Sequence, residues 1–229
     1  MTKRHLLLAF LLSCFTLGAI AQAPEDRNKI KQAIQNWGSC RNVAITRTYG
    51  DVALSGNHNY YANYVPNKML ETLRELYDNG NYIDDVTLTE SGKWVILYDI
   101  NDVEYSDDIP VGLRDAILEF NENDYYVRSI SFNDDGDWVI ISKEEVNASS
   151  QDIVEWLEEY AEQYGDVWTV FVGEDAIFAV FQNGYANKGE IPDGLKNAIQ
   201  QTELDYYRVK FSGESWFIAD EEGNYQYYM

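Results

Sequence analysis

One stretch of the chain decides the fold: residues 90–117 read ESGKWVILYDINDVEYSDDIPVGLRDAI. It contains a turn at 91–93, an alternating apolar strand from Trp94, a shorter tyrosine-bearing strand, and a helix that follows Pro110. Apolar residues occur three, seven and ten positions after this proline, which is the spacing of a one-sided helix. Proline suits the first helical position because its missing N–H would be unpaired there. The stretch therefore predicts strand, strand and helix in succession.

The same pattern returns along the whole chain. Each copy reads as a helix followed by three short strands. A unit of this length buries too little surface to fold alone, so neighbouring units must share a core. We expect an α+β fold of about five tandem helix-strand-strand-strand repeats of ~42 residues, as a closed α/β propeller or an open repeat array. The anchors of the five copies are Arg27, Pro66, Pro110, Ser150 and Pro192, spaced by 39, 44, 40 and 42 residues.

The first 21 residues have the form of a secretory signal peptide. Lys3 and Arg4 supply the positive start, an apolar run follows, and residues 19–21 offer a small-x-small cleavage site. We expect an exported protein, periplasmic or extracellular, without a membrane span. An alternative interpretation takes Cys14 as the lipidated cysteine of a lipoprotein. Residues 22–229 are expected to form one repeat domain, with units at about 24–65, 66–109, 110–149, 150–191 and 192–229.

Composition narrows the classes of function. The chain has 17 basic and 39 acidic residues, a net charge of −22, and 14% aromatic residues. Nucleic-acid binding needs clustered Lys and Arg, which the sequence lacks, so nucleic acid is excluded as a partner. Two Cys and two His offer little for nucleophilic catalysis or zinc binding. We therefore predict a non-enzyme with no cofactor, catalytic residue or metal site, although so acidic a surface is expected to associate weakly with calcium.

Three local features are the places where specific chemistry is conceivable. Cys40 follows the first predicted helix, where a buried thiol is more common than a reactive one. An odd cysteine in an exported protein can also pair between chains. His58 lies in a predicted turn with no nucleophile motif in the chain. The acidic segment 133–137 lacks the flanking carboxylates of a calcium loop, so it predicts a hairpin turn with Gly136 at positive φ.

Tyrosine is the residue type with the most regular placement. Many of the 18 tyrosines fall in or beside the predicted third strands. Tyrosine is stiff and amphipathic, which suits half-buried strand packing and also a binding face. Because side chains alternate along a strand, some of these rings are expected at the surface. The predicted binding residues are Tyr61, Tyr64, Tyr105, Tyr185 and Tyr227.

The pieces ESGKWVILYD, DDIPVGLRDAI and NDDGDWVII resemble a G-x-W-V-I … I-P-x-G-L repeat of uncharacterised bacterial secreted proteins. The likeness covers residues 66–141 and part of 191–229, whereas the copy at 150–190 lacks both the proline and the tryptophan. It implies a repeat module and no known activity. The five-fold plan is also similar to that of the pentein propellers, whose catalytic members use Cys and His near the centre. Cys40 and His58 match no pentein motif.

These observations predict a secreted, non-catalytic repeat protein that acts as a binding module for a protein or glycan partner. Repeat architectures commonly serve as binding scaffolds. Two alternatives stay open, namely an inhibitor of an exported enzyme such as a protease, and a carboxylate-based glycan hydrolase. The hydrolase would need extra acids in one repeat, at positions where the other repeats lack them.

Overall fold

The computed structural model describes residues 27–48 and 50–229. The predicted signal peptide and Cys14 lie outside these residues. The described part of the chain forms five successive helix-strand-strand-strand units, which confirms the predicted α+β repeat. None of its helices is long and apolar enough to cross a membrane. The elements are α1 (Asn28–Trp37), β1 (Asn42–Ile45), β2 (Asp51–Ser55), β3 (Asn59–Asn63), α2 (Asn67–Asn79), β4 (Ile83–Leu88), β5 (Trp94–Tyr98), β6 (Asp102–Tyr105), α3 (Val111–Glu122), β7 (Val127–Phe132), β8 (Trp138–Ser142), β9 (Val146–Ala148), α4 (Gln151–Tyr164), β10 (Val167–Val172), β11 (Ala176–Phe181), β12 (Gly184–Gly189), α5 (Asp193–Gln201), β13 (Arg208–Ser212), β14 (Ser215–Ala219) and β15 (Tyr225–Tyr228).

The anchoring prolines stand one position earlier than the sequence pattern suggested. Pro66, Pro110 and Pro192 are N-cap residues, and the helices begin at the next residue. Each has an extended ψ between 132° and 141°, which ends the preceding loop. The proline carbonyl then accepts the first helical hydrogen bond, as in the 3.0 Å bond from the Leu70 N–H to the Pro66 oxygen.

Each unit has its own three-stranded antiparallel sheet, and the five sheets do not join into a barrel. Each helix lies between the sheet of its own unit and the sheet of the preceding one. On α2, Met69 and Leu73 pack with Val86 of their own first strand and with Leu54 of the preceding unit. Equivalent hydrophobic clusters surround the other four helices. Every unit thus completes the core of its neighbour.

The last unit packs against the first, so the repeat array is closed end to end. The first strands β1, β4, β7, β10 and β13 contact each other in this order, and β13 also contacts β1. Ile30 and Ile34 of α1 share a core with Phe217 of β14. The backbone N–H of Cys40 donates to the carbonyl of Gly223 at 2.9 Å. The five first strands therefore surround a common axis.

Candidate functional site at the ring axis

Residues of each first strand alternate between a position that faces a helix and a position that faces the axis. One helix-facing position holds a buried aliphatic residue in all five units: Val43, Val86, Ile130, Val170 and Val209. The residues before them are polar, at most 4% exposed and different in every unit: Asn42, Asp85, Ser129, Thr169 and Arg208. These five residues are termed the axial layer.

Side chains of the axial layer join neighbouring first strands. The Asn42 amide Nδ2 donates to Asp85 Oδ1 at 2.7 Å. The Ser129 hydroxyl lies 3.2 Å from Asp85 Oδ2 and 3.2 Å from the Val170 carbonyl. Buried polar groups need such partners, because unpaired ones lose their hydration without compensation. The layer thus links units whose sheets share no backbone ladder.

Two cations of the last unit cross the axis to the second unit. Arg208 Nη1 lies 2.9 Å from Asp85 Oδ2, and Lys210 Nζ lies 3.2 Å from Asp85 Oδ1. Arg208 also reaches Asp84 at 3.3 Å, and Arg41 approaches Asp84 at 3.7 Å. The axial ion cluster is defined as these five residues: Arg41, Asp84, Asp85, Arg208 and Lys210. It contains three cations and two carboxylates.

The cluster shifts the pKa of its members. Burial acts to raise the pKa of Asp85, but the charges of Arg208 and Lys210 and the hydrogen bond from Asn42 outweigh it and lower the pKa to about 2. Burial lowers the pKa of the Lys210 ammonium, against the attraction of Asp85. Asp85 is therefore held as a carboxylate, whereas burial disfavours the charge of Lys210, as it does the charges of Arg41 and Asp84.

A cavity of ≈ 720 Å³ opens at the end of the axis where the first strands finish, and it is termed the axial pocket. Its floor is formed by Lys210 and Phe171, which lie two residues further along their strands than the axial layer. No residue of the axial layer lines the pocket. Lys210 Nζ lies 5.5 Å from the ring centroid of Phe171. Phe171 in turn meets Phe211 edge to face, with 4.8 Å between centroids. The volume suits a small ligand or a short peptide segment.

The wall and rim of the axial pocket are acidic, with six Asp or Glu residues against three cations. Each cation already has a carboxylate partner. Arg47 Nε lies 3.6 Å from Glu90, Lys196 lies 3.0 Å from Asp193, and Lys210 belongs to the axial ion cluster. Among the residues that the structure describes, four lining carboxylates form no ion pair: Glu174, Asp175, Glu190 and Glu214.

Two of the lining acids differ in how they are held. Glu90 accepts hydrogen bonds from the backbone N–H groups of Arg47 and Thr48 at 2.8–2.9 Å and from the Ser212 hydroxyl at 2.9 Å. These bonds outweigh burial and lower the pKa of Glu90. Burial raises the pKa of Glu174, and the nearby charges of Asp134 and Glu90 add to this effect. A positive ligand at Glu174 would relieve that repulsion.

The five predicted binding tyrosines lie at the outer third strands, and the structure does not bring them together. Tyr64 is 67% exposed. The others are half-buried against hydrophobic clusters, and one of them stacks on Phe178 at 5.4 Å between centroids. Their role in binding stays a prediction. The half-buried four are Tyr61, Tyr105, Tyr185 and Tyr227.

The other candidate positions have structural surroundings. Cys40 is fully buried, as expected, and burial raises the pKa of its thiol to about 12. His58 packs on the Tyr77 ring at 5.4 Å between centroids. Residues 133–137 form the predicted hairpin turn, with Gly136 at a φ of 95°. The described ranges 27–48 and 50–229 contain no group of three or more His, Cys, Asp or Glu that could hold a metal ion.

Sequence reasoning did not single out Asp85, Lys210 or Glu174. The signal available was their position in the repeat, since Asp85 and Lys210 adjoin the apolar position that all units share and Glu174 follows it by four residues. A polar residue that alternates with apolar residues along a strand usually faces water. The pattern alone therefore did not distinguish a position on the ring axis from a position on the surface. Closure of the ring makes the difference.

No protein-family model matches the chain, and a search of curated proteins finds no match. Fold and site therefore define its class: a five-unit α+β repeat protein, closed end to end, with an acidic pocket on its axis.

Proposed function

We propose that the protein is a secreted, non-catalytic binding module whose axial pocket takes a positively charged segment of a partner protein. The carrying observation is the set of lining carboxylates that have no cation, around a cavity of ≈ 720 Å³. A protein with a net charge of −22 attracts positive ligands over a distance and holds them at such an opening. Phe171 and Phe211 offer apolar surface to the stems of Lys or Arg side chains.

One acidic position that recurs among the units supports binding over hydrolysis. The strand register places Asp134 and Glu174 where Glu90 stands in the second unit. A carboxylate at this position thus recurs in three units, whereas a hydrolase is expected to have its extra acids in one. Glu90 is also fixed by several hydrogen bonds. The recurrence is typical of a shared charged surface.

The test is calorimetric titration with acetylated tri-lysine amide, with tri-glutamate amide as the opposite-charge control. We expect the tri-lysine peptide to bind, more weakly at 0.5 M salt because exposed charges are screened. Replacing Glu174 and Glu214 by Gln together is expected to weaken binding about three- to tenfold.

The matched control replaces Glu158 and Glu162 by Gln, which makes the same charge change on an exposed face of α4, away from the pocket lining. Equal weakening by both double variants would mean that only net charge matters, and would overturn the pocket as the site. Absence of tri-lysine binding would overturn the proposal itself. Binding of a neutral oligosaccharide in its place would favour a glycan partner.

A further inference from the structure

The axial ion cluster has one cation more than it has carboxylates. Asp85 is shared by Arg208 and Lys210, and Asp84 is shared by Arg208 and Arg41. The side chains of Asp85, Arg208 and Lys210 are at most 4% exposed. A buried charge without its own counter-charge is costly, because its lost hydration is not replaced. The cluster is therefore one negative charge short.

Lys210 is the cation at which a further negative charge can arrive. It alone of the cluster lines the axial pocket, and it forms part of the floor. An ammonium has three donors. One is taken by Asp85 at 3.2 Å, and Lys210 Nζ donates no other hydrogen bond among the described residues. Two Lys210 donors are thus left for a ligand at the floor of the pocket.

We propose that Lys210 binds a carboxylate at the floor of the axial pocket, and that this carboxylate is the C terminus of the partner's basic segment. The inference rests on the proposed function and deepens it. The carboxylate supplies the missing negative charge and accepts a remaining Lys210 donor. Basic side chains behind it face the lining acids, such as Glu174 and Glu214. A ligand with this order of charges fits the pocket from floor to rim.

The experiment compares four acetylated tripeptides by calorimetry: tri-lysine and tri-alanine, each with a free C-terminal carboxylate or with an amide. The carboxylate form of tri-lysine is expected to bind roughly tenfold more tightly than its amide, as a charge-assisted hydrogen bond in a buried site allows. Acetate in excess, as a competitor, distinguishes a peptide terminus from any small carboxylate. Competition only at concentrations far above the peptide Kd supports the terminus, whereas acetate binding as tight as the peptide assigns the floor to free carboxylates and overturns that part of the proposal.

Two variants locate the effect. Lys210→Met is expected to remove the difference between carboxylate and amide, whereas Lys143→Met, at an exposed lysine outside the pocket lining, is expected to keep it. Without ligand, Lys210→Met is expected to unfold at the same temperature as the parent or higher, because the uncompensated charge is gone. Should the variant fail to fold, Lys210 is structural and the assignment is overturned.

The tripeptide comparison also separates the two proposals. Equal binding of the carboxylate and amide forms of tri-lysine overturns the role of Lys210 and leaves the proposed function standing. Equal binding of the two carboxylate peptides supports Lys210 and overturns the preference for a basic segment. No binding by any of the four peptides overturns both.

Discussion

At one helix-facing position of the five first strands the copies are nearly interchangeable, whereas at the axial position before it no two copies agree. Val43 and Val86 occupy one such helix-facing place, while their neighbours Asn42 and Asp85 differ in charge. Helix-facing residues all meet the same surroundings, a helix and two sheets, so the same residue type serves in every unit. Axial residues from all units meet at one place, where each must complement the others. The residues that recur in every unit thus form the packed helices and sheets, here termed the frame. The residues that differ between units form the site.

The largest effect is expected from removing the acid at the centre of the axial layer. Asp85→Ala leaves Arg208 and Lys210 buried without their main counter-charge, which is expected to cost about 3–5 kcal/mol of unfolding free energy. Urea unfolding followed by tryptophan fluorescence measures it. Asp102→Ala, at an exposed position of the same unit, is the control and should stay within about 0.5 kcal/mol. A loss below 1 kcal/mol at Asp85 would contradict the axial ion cluster.

Equivalent helix-facing residues have the same surroundings in every unit, so truncating them is expected to lower the free energy of unfolding by similar amounts in different units. Leu73 of α2 and Leu157 of α4 hold the same place in their helices and are at most 1% exposed. Truncation of either to Ala removes buried apolar contacts and is expected to cost about 2–5 kcal/mol. Chemical denaturation of the two variants tests this. If one cost less than a third of the other, the units would not share one kind of core.

Much of the frame could be predicted from the sequence, because its signals are local. The apolar spacing after Pro66 and Pro110 depends on a few neighbouring residues, and it placed helices and strands within a residue or two. The contact of Asp85 with Arg208 joins residues 123 positions apart, so no local pattern contains it. The site exists only once the ring is closed.

The burial of the outer tyrosines also could not be predicted from the sequence of a single repeat. Some tyrosines in or beside the third strands were expected at the surface, and Tyr64 and Tyr228 are exposed. Alternation places Tyr60 and Tyr61 on opposite faces of β3, yet both are half-buried, because Tyr60 packs into the cluster around α2 and Tyr61 into the cluster around α1. Each sheet is covered on both faces by successive helices. Covering of the second face is a property of the assembled ring, which a single repeat does not reveal.

Asp51 is an acid at a buried position where equivalent units have apolar residues. Its burial predicts that stability depends on pH. Asp51 stands opposite Ile45, where the second and third units have Trp94 and Trp138. Burial raises the pKa of Asp51 to about 6, although the charge of Arg27 opposes this. The folded state therefore holds a proton that the unfolded state releases near pH 4, so stability falls as pH rises from about 4 to about 6.

Asp51→Asn is expected to remove this pH dependence and to raise the free energy of unfolding at pH 7 by about 1–3 kcal/mol. Urea titrations of parent and variant between pH 4 and pH 7 measure the difference. Asp85 provides the contrast, because its pKa is lowered to about 2 and its stabilisation is lost only as the pH falls below about 4. A variant that follows the parent's pH profile would show that Asp51 does not carry the effect.

The smallest effect is expected at the outer edge. Tyr64 is 67% exposed and has a φ of 54°, a conformation that costs little for glycine. Tyr64→Gly is expected to change the free energy of unfolding by no more than about 1 kcal/mol, since relief of the backbone offsets the lost ring. Thermal unfolding by circular dichroism detects a larger change. A loss above about 2 kcal/mol of unfolding free energy would mean that the Tyr64 side chain contributes to the packing of the repeats.

End-to-end closure is tested most directly by a double-mutant cycle between the second and last units. Asp85→Ala, Arg208→Ala and the double variant are compared by urea unfolding. Because Asp85 and Arg208 lie 2.9 Å apart in the closed ring, we expect a coupling free energy of about 1.5 kcal/mol or more. Losses that add to within about 0.5 kcal/mol would mean that the two units do not meet, and would contradict the closed arrangement and the axial pocket with it.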